Sequence, residues 1–521
     1  MSERPGPAAP GRRPNRVRDG LAVVLLVAAL LLPWSIEFGV GISGSSVQLF
    51  AVVGAVTVLA IAAALIPHLR PWQITAARAG AASRIRFWLT VPYVVVVCGF
   101  VGFHLLQTVR DGGTGEVPPG VGPGSWLGIA GALLAAQPPI TAGTLEDNGF
   151  DRWFRSARII GMVSIVLAAM AVVFNLFWRL RYLFVTDVSF AGKDVAVVVT
   201  SVLYGGVAMI ALVIGSSWLV QKTAAARLAT TALGVSSALA GVLVWVAGIG
   251  RDVDAFHGIA ENTSTAAVGY EGYLAWPAAA AIVAPTTLYA VFLVKPPTLA
   301  VYRKAALKCL TLIAFWSFSA AGLRVTDYLI ALALDLPHRP YDSVALVGFT
   351  LVTGCVAVWL RRQLAKGGLS TAVIAAFSAV LSVLTAAQLA VSVALAPRYA
   401  EPSPADTVYG NNVAQQITST FDVVVCGLSL AVLVAVLVTG PLAGALRRKT
   451  RPATPPAESA PPPKIVVAHQ DSTVVLPSTS TAVPTTEIPA PTTALRIQRR
   501  PRAADATTAL RIQRRPKPPS S

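Results

Sequence analysis

Two ionisable residues fall inside an apolar run, in Gly322-Leu323-Arg324-Val325-Thr326-Asp327-Tyr328. On a helix, a spacing of three puts Arg324 and Asp327 on one face within ion-pair reach. In lipid, such a pair is either a polar contact between helices or part of an ion or substrate site. If the run enters near Cys309, Arg324 lies about 22 Å along it and Asp327 about 27 Å, at 1.5 Å per residue. In a hydrocarbon core of about 30 Å both approach the outer interface, where snorkelling makes charge cheap. Glu37 follows Trp34 and precedes Gly39-Val40-Gly41-Ile42-Ser43-Gly44. It marks either the outer end of the first span or a carboxylate at the mouth of a cavity. His104, Gln107, Asn175 and Gln388 are further polar residues in apolar runs.

A second chemistry lies near the C-terminus. Thr492 to Pro501 reads TTALRIQRRP, and Thr507 to Pro516 repeats it without change. Thr473, in Asp471-Ser472-Thr473-Val474-Val475, is another threonine followed by aliphatic residues. Thr473, Thr492, Thr493, Thr507 and Thr508 are therefore candidate phosphate acceptors for a Ser/Thr kinase. Phosphorylation adds about two negative charges beside arginines, which changes intrachain pairing or creates a docking site. The TT-x-hydrophobic pattern resembles the phosphothreonine peptides read by FHA domains in bacterial Ser/Thr kinase signalling. That resemblance implies a phosphothreonine-reading partner. The same stretch, with Arg496, Arg499, Arg500, Arg502, Arg511, Arg514, Arg515 and Lys517, is also polybasic. At about 1 kcal/mol per basic residue near an anionic leaflet, it is equally suited to lying on the inner membrane surface.

Other chemistries lack their residues. There is no P-loop, HExxH or GxSxG sequence. Cys98, Cys309, Cys355 and Cys426 lie in or beside apolar runs, without CxxC or Cys/His spacing; they read as small buried hydrophobes. No catalytic residue, metal or cofactor is expected, and the balance is against an enzyme. Residues 69–86 lack the glycine–acidic–basic signature of major-facilitator transporters.

The elements that position these residues follow from composition. The chain has 521 residues, 55% apolar and 13% charged, where soluble domains carry about 25% charged residues. A mean hydropathy of +0.65 excludes a water-soluble enzyme, and four cysteines exclude a disulfide scaffold. Runs at 20–39, 48–68, 87–108, 124–142, 158–178, 195–219, 227–248, 273–294, 308–335, 343–360, 370–396 and 421–445 approach the about 20 residues needed to span. The expected fold is all-α, a polytopic integral membrane protein of about 12 transmembrane helices. The run 124–142 is glycine-rich and ends in Gln137-Pro138-Pro139, so a re-entrant segment is its alternative. Gly234, Ser237, Ala238 and Gly241 form a small-residue face suited to close helix contact.

Orientation follows from the basic residues. Arg70, Arg78, Arg84, Arg86, Arg152, Arg155, Arg158, Arg303, Lys304, Lys308, Arg361, Arg362 and Lys366 all fall at inner ends if the N-terminus is cytoplasmic and every run crosses. Arg179, Arg181 and Lys193 are then the main exceptions. The organisation read is a basic cytoplasmic N-terminus (1–19), a transmembrane domain (20–446) and a Pro/Thr/Arg-rich cytoplasmic tail (447–521). The tail lacks Phe, Trp and Tyr and cannot bury enough apolar surface to fold, so disorder is expected. Of the +18 net charge, half lies in residues 446–521; loops and tail account for it by orientation and anionic lipid, and nucleic acid is not an expected partner. An excess of Arg over Lys with abundant Ala points to a bacterial plasma membrane. Function divides between a membrane scaffold or regulatory protein, whose tail docks a partner or anionic lipid, and a transporter or flippase for a small solute or cell-envelope precursor. A membrane transferase needing Glu37, Asp252 or Asp254 ranks third.

Overall fold

The computed structural model describes residues 12–35, 37–68, 76–111, 121–140, 151–180, 192–248, 270–289, 297–335, 344–395 and 413–440. These residues form twelve α-helices and one short 3-10 turn, with no strand among them. The helices are α1 (Arg12–Leu31), α2 (Val47–Leu65), α3 (Ala76–Asp111), α4 (Pro123–Ala136), α5 (Asp151–Leu180) and α6 (Gly192–Val220). They continue as α7 (Ala224–Gly248), α8 (Tyr270–Tyr289), α9 (Leu299–Ala333), α10 (Val344–Lys366), α11 (Thr371–Leu395) and α12 (Val413–Thr439). Each corresponds to one apolar run of the sequence. Nine described helical segments are long and apolar enough to cross a membrane; the exceptions are α1, α4 and α8. The tail threonines lie outside the described residues.

Two differences from the sequence reading concern α1 and α4. Helix α1 starts at Arg12, inside the segment read as an N-terminal arm, because its first turns are buried: Asn15, Arg18 and Asp19 are each less than a tenth exposed. It stops at Leu31, before Pro33. Helix α4 runs antiparallel to α1 along nearly its whole length. Gly124 N–H donates to the Pro33 carbonyl at one end, and Arg18 donates to the Pro138 carbonyl at the other. Every α4 residue except Leu133 is buried, against α1, α2, α3, α7 and α8.

Contacts at the helix ends fix one common face. Gln137, after α4, bonds the end of α8, and the end of α8 packs on the start of α5 through Val283 and Ala157. Arg227 at the start of α7 lies over Phe154 at the start of α5. Lys308 on α9 reaches Gln221 after α6, and Arg303 reaches Ala365 at the end of α10. A Cβ on Gly440, after α12, would meet Thr371 at the start of α11. Odd-numbered helices therefore start, and even-numbered helices end, on the face that carries most of the arginines among the described residues. The other direction of exposure is sideways. Val58, Val95, Phe103, Val166, Met170, Val173, Val235 and Val383 are all more than half exposed, leaving an apolar outer surface of the kind a lipid environment accommodates.

The interior is closely fitted. A Cβ on Gly128 would lie 2.1 Å from Tyr93 Oη, and one on Gly241 would lie 1.9 Å from the Trp126 ring. Gly234 meets Ala280 and the Trp276 backbone in the same way. The small-residue face of α7 thus receives α8 and the indole of α4, as the sequence pattern implied.

Candidate functional site

At the basic face, Asp19 gathers two guanidinium groups and an imidazole from three elements. Arg18 Nε donates to Asp19 Oδ1 at 2.8 Å, and Arg86 Nη2 on α3 donates to the same oxygen at 2.7 Å. His68 Nε2, in the turn after α2, lies 2.9 Å from Asp19 Oδ2. The two guanidinium groups also reach the end of α4: Arg86 Nε donates to the Ala135 carbonyl at 2.7 Å and Arg18 Nη1 to the Pro138 carbonyl at 2.7 Å. Asn15 completes the tie, with a reciprocal amide pair to Ile140 at 3.0 and 2.9 Å. Two cations against one carboxylate leave an excess positive charge, which faces the negative dipole end of α4. Burial alone would raise the Asp19 carboxyl; Arg18, His68 and Arg86 together hold it below the usual carboxylate range.

The break that follows α4 has a defined partner here. After α4 the chain is extended at Gln137, whose Nε2 donates to the Ala281 and Ile282 carbonyls of α8. Pro285 lies four residues after Ala281 within α8. It has no N–H to close the helical bond to Ala281, and the Gln137 amide takes that carbonyl instead.

A second ion cluster lies between α9, α11 and α12. Arg324 Nη2 is 3.6 Å from Asp422 Oδ2, with both side chains at most 1% exposed. Gln388 Nε2 donates to Asp422 Oδ1 at 2.8 Å, and the Ser392 hydroxyl donates to Oδ2 at 3.3 Å. Next to this carboxylate, Phe421 stacks on Trp316 with ring centroids 3.8 Å apart.

Of the residues singled out in the sequence, Arg324 and Gln388 meet at this cluster. Asp327 is half-buried one turn further along α9, while Glu37 is exposed in the turn after α1. His104 is buried on α3, its ring edge-on to Phe100 at 4.3 Å. Gln107 is half-buried, and the side chain of Asn175 lies outside the described residues. Asp422 was not anticipated. It opens the last apolar run and is the one carboxylate between Asp406 and Glu458, a signal masked by its place at the run's edge. The Asp19 cluster was also missed, although Arg18-Asp19 stands directly before the first apolar run.

The four cysteines are free. Among the described residues no three His, Cys, Asp or Glu side chains come together to hold a metal ion.

No curated protein and no solved structure matches the chain. Residues 15–441 match a family described as a domain of unknown function. That span opens at Asn15 of the Asp19 cluster, takes in Asp422 and stops before the tail repeats. The chain belongs to the family DUF7937.

Proposed function

We propose that this is a multi-pass protein of the bacterial plasma membrane, with both termini cytoplasmic, that works as a non-enzymatic scaffold or regulatory protein. Its tail docks a phosphothreonine-reading partner or anionic lipid. The observation that carries this reading is the filled interior around α4: a helix buried at every residue but Leu133, with Gly128 and Gly241 set against Tyr93 and Trp126. Such packing suits a rigid platform. The collection of Arg and Lys on one face supports the orientation.

A transporter or flippase is the second reading, favoured by the buried Arg324–Asp422 pair, since ionisable groups inside a membrane domain commonly mark ion or substrate paths.

Orientation is tested with single cysteines in a cysteine-free background. Ser43→Cys, between α1 and α2, should react with an impermeant maleimide on intact cells, and Gly368→Cys, between α10 and α11, only after permeabilisation. The reverse pattern overturns the orientation. The scaffold reading is tested by binding of a purified FHA domain to the full chain phosphorylated by a Ser/Thr kinase. Binding should be lost in Thr508→Ala combined with Thr493→Ala and kept in Arg324→Ala. Absence of phosphate-dependent binding removes the docking role and leaves the tail to lipid.

A further inference from the structure

We infer that a recess on the basic face, between α5, α6, α7 and α8, binds the phosphate headgroup of an anionic membrane lipid. This rests on the membrane orientation proposed above and is separate from any lipid contact of the tail.

The recess is shallow and open to solvent, and is lined by Phe154, Arg158, Trp218, Lys222, Arg227 and Thr230, among others. Its three cations come from different elements: Arg158 from the second turn of α5, Lys222 from the α6–α7 turn, and Arg227 from the start of α7. The carboxylate that acts on Arg227 is Asp151, at the start of α5, so positive charge remains in excess. Arg227 is positioned rather than loose, because its guanidinium lies 3.5 Å above the centre of the Phe154 ring. A stacked guanidinium keeps its N–H groups in plane, where they are available to phosphate oxygens.

The second observation is Thr230. This residue lines the recess and is 2% exposed, and its Oγ1 has no hydrogen-bond partner. A helical threonine ordinarily back-bonds to the preceding turn, as neighbouring Thr231 does to the Arg227 carbonyl at 2.9 Å. A buried hydroxyl without a partner costs stability, and an anionic oxygen in the recess would accept from it.

The occupant is a lipid rather than a soluble anion because the walls continue as apolar surface. Leu219 and Val283 line the recess, and beyond Arg158 the α5 residues Ile159, Met162, Val163 and Val166 are each about half exposed. That track leads from the cations into the hydrocarbon region, as an acyl chain does from its phosphate. Basic pockets between helices on the cytoplasmic side are suited to such headgroups.

The experiment is native mass spectrometry of the full chain in detergent, titrated with phosphatidylglycerol, phosphatidylcholine or inorganic phosphate. Phosphatidylglycerol should bind at least about tenfold more tightly than phosphatidylcholine. The combination Arg158→Gln with Arg227→Gln should remove that preference, and the difference from the unaltered chain isolates the recess from the basic tail. Thr230→Val deletes an unpaired hydroxyl with nearly constant shape, so it should keep the fold and still weaken phosphatidylglycerol binding. Equal binding of the two lipids, or an unchanged preference in both variants, overturns the inference. Inorganic phosphate that displaces phosphatidylglycerol at equal concentration makes this a soluble-anion site and overturns the lipid assignment. The cysteine labelling above reports failure of the orientation independently of these results.

Discussion

Arg324 on α9 and Asp422 on α12 form an ion pair across the helix interface, 3.6 Å apart and closed to solvent. Gln388 and Ser392 from α11 occupy further positions on the carboxylate, so three helices are registered on one side chain. Removing either charge strands the other in a low-dielectric interior at about 3–5 kcal/mol. Arg324→Leu and Asp422→Leu should each lower thermal stability in detergent strongly, while the double substitution recovers much of the loss. Asp327→Leu, at a half-buried position, should cost less than Asp422→Leu. Additive losses in the double variant would mean that the two residues act independently.

The Asp19 cluster predicts a pH dependence. The folded carboxyl titrates below its unfolded value of about 3.9, because Arg18, His68 and Arg86 favour the charged form. The stability it contributes is therefore present above about pH 4 and lost as pH falls through the lower folded value. Asp19→Asn should be clearly less stable than the unaltered chain at pH 7, and the gap should narrow below about pH 4. A gap that widens under acid would reverse the sign and the assignment.

The helices were legible in the sequence because each apolar run is a local signal, and each has a described helix. The start of α1 was not, since Arg12 to Asp19 reads as a solvated basic arm until the end of α4 is placed against it. The same limit explains the sites. Arg324 and Asp327 are visible as a pair because they are three residues apart, whereas Asp422 reaches Arg324 only through the packing of α9 on α12. Gln137-Pro138-Pro139 announced a break after α4. That Gln137 answers a carbonyl freed by Pro285 depends on where α8 lies.

The fit of Gly241 against Trp126 gives a packing test. A Cβ at Gly241 would lie 1.9 Å from the indole, so Gly241→Ala forces a shift that costs about 1–3 kcal/mol. In a Trp126→Leu background the obstructing ring is gone, and the same glycine substitution should cost little. Thermal unfolding of the four proteins supplies the cycle. An equal cost in both backgrounds would place the penalty elsewhere in α7.

The tie between α4 and α8 makes a prediction with opposite signs at two positions. Gln137 Nε2 donates to the Ala281 carbonyl, which Pro285 leaves without its helical donor. Gln137→Leu should cost about 1–3 kcal/mol, the penalty of a buried acceptor left unpaired. Pro285→Ala returns an N–H to α8 and gives Ala281 a partner within its own helix. Combined with Pro285→Ala, Gln137→Leu should therefore lose much less stability than it does alone. If the effects of the two substitutions are simply additive instead, the Ala281 carbonyl is not what joins them, and the role of Gln137 reduces to its bond with Ile282.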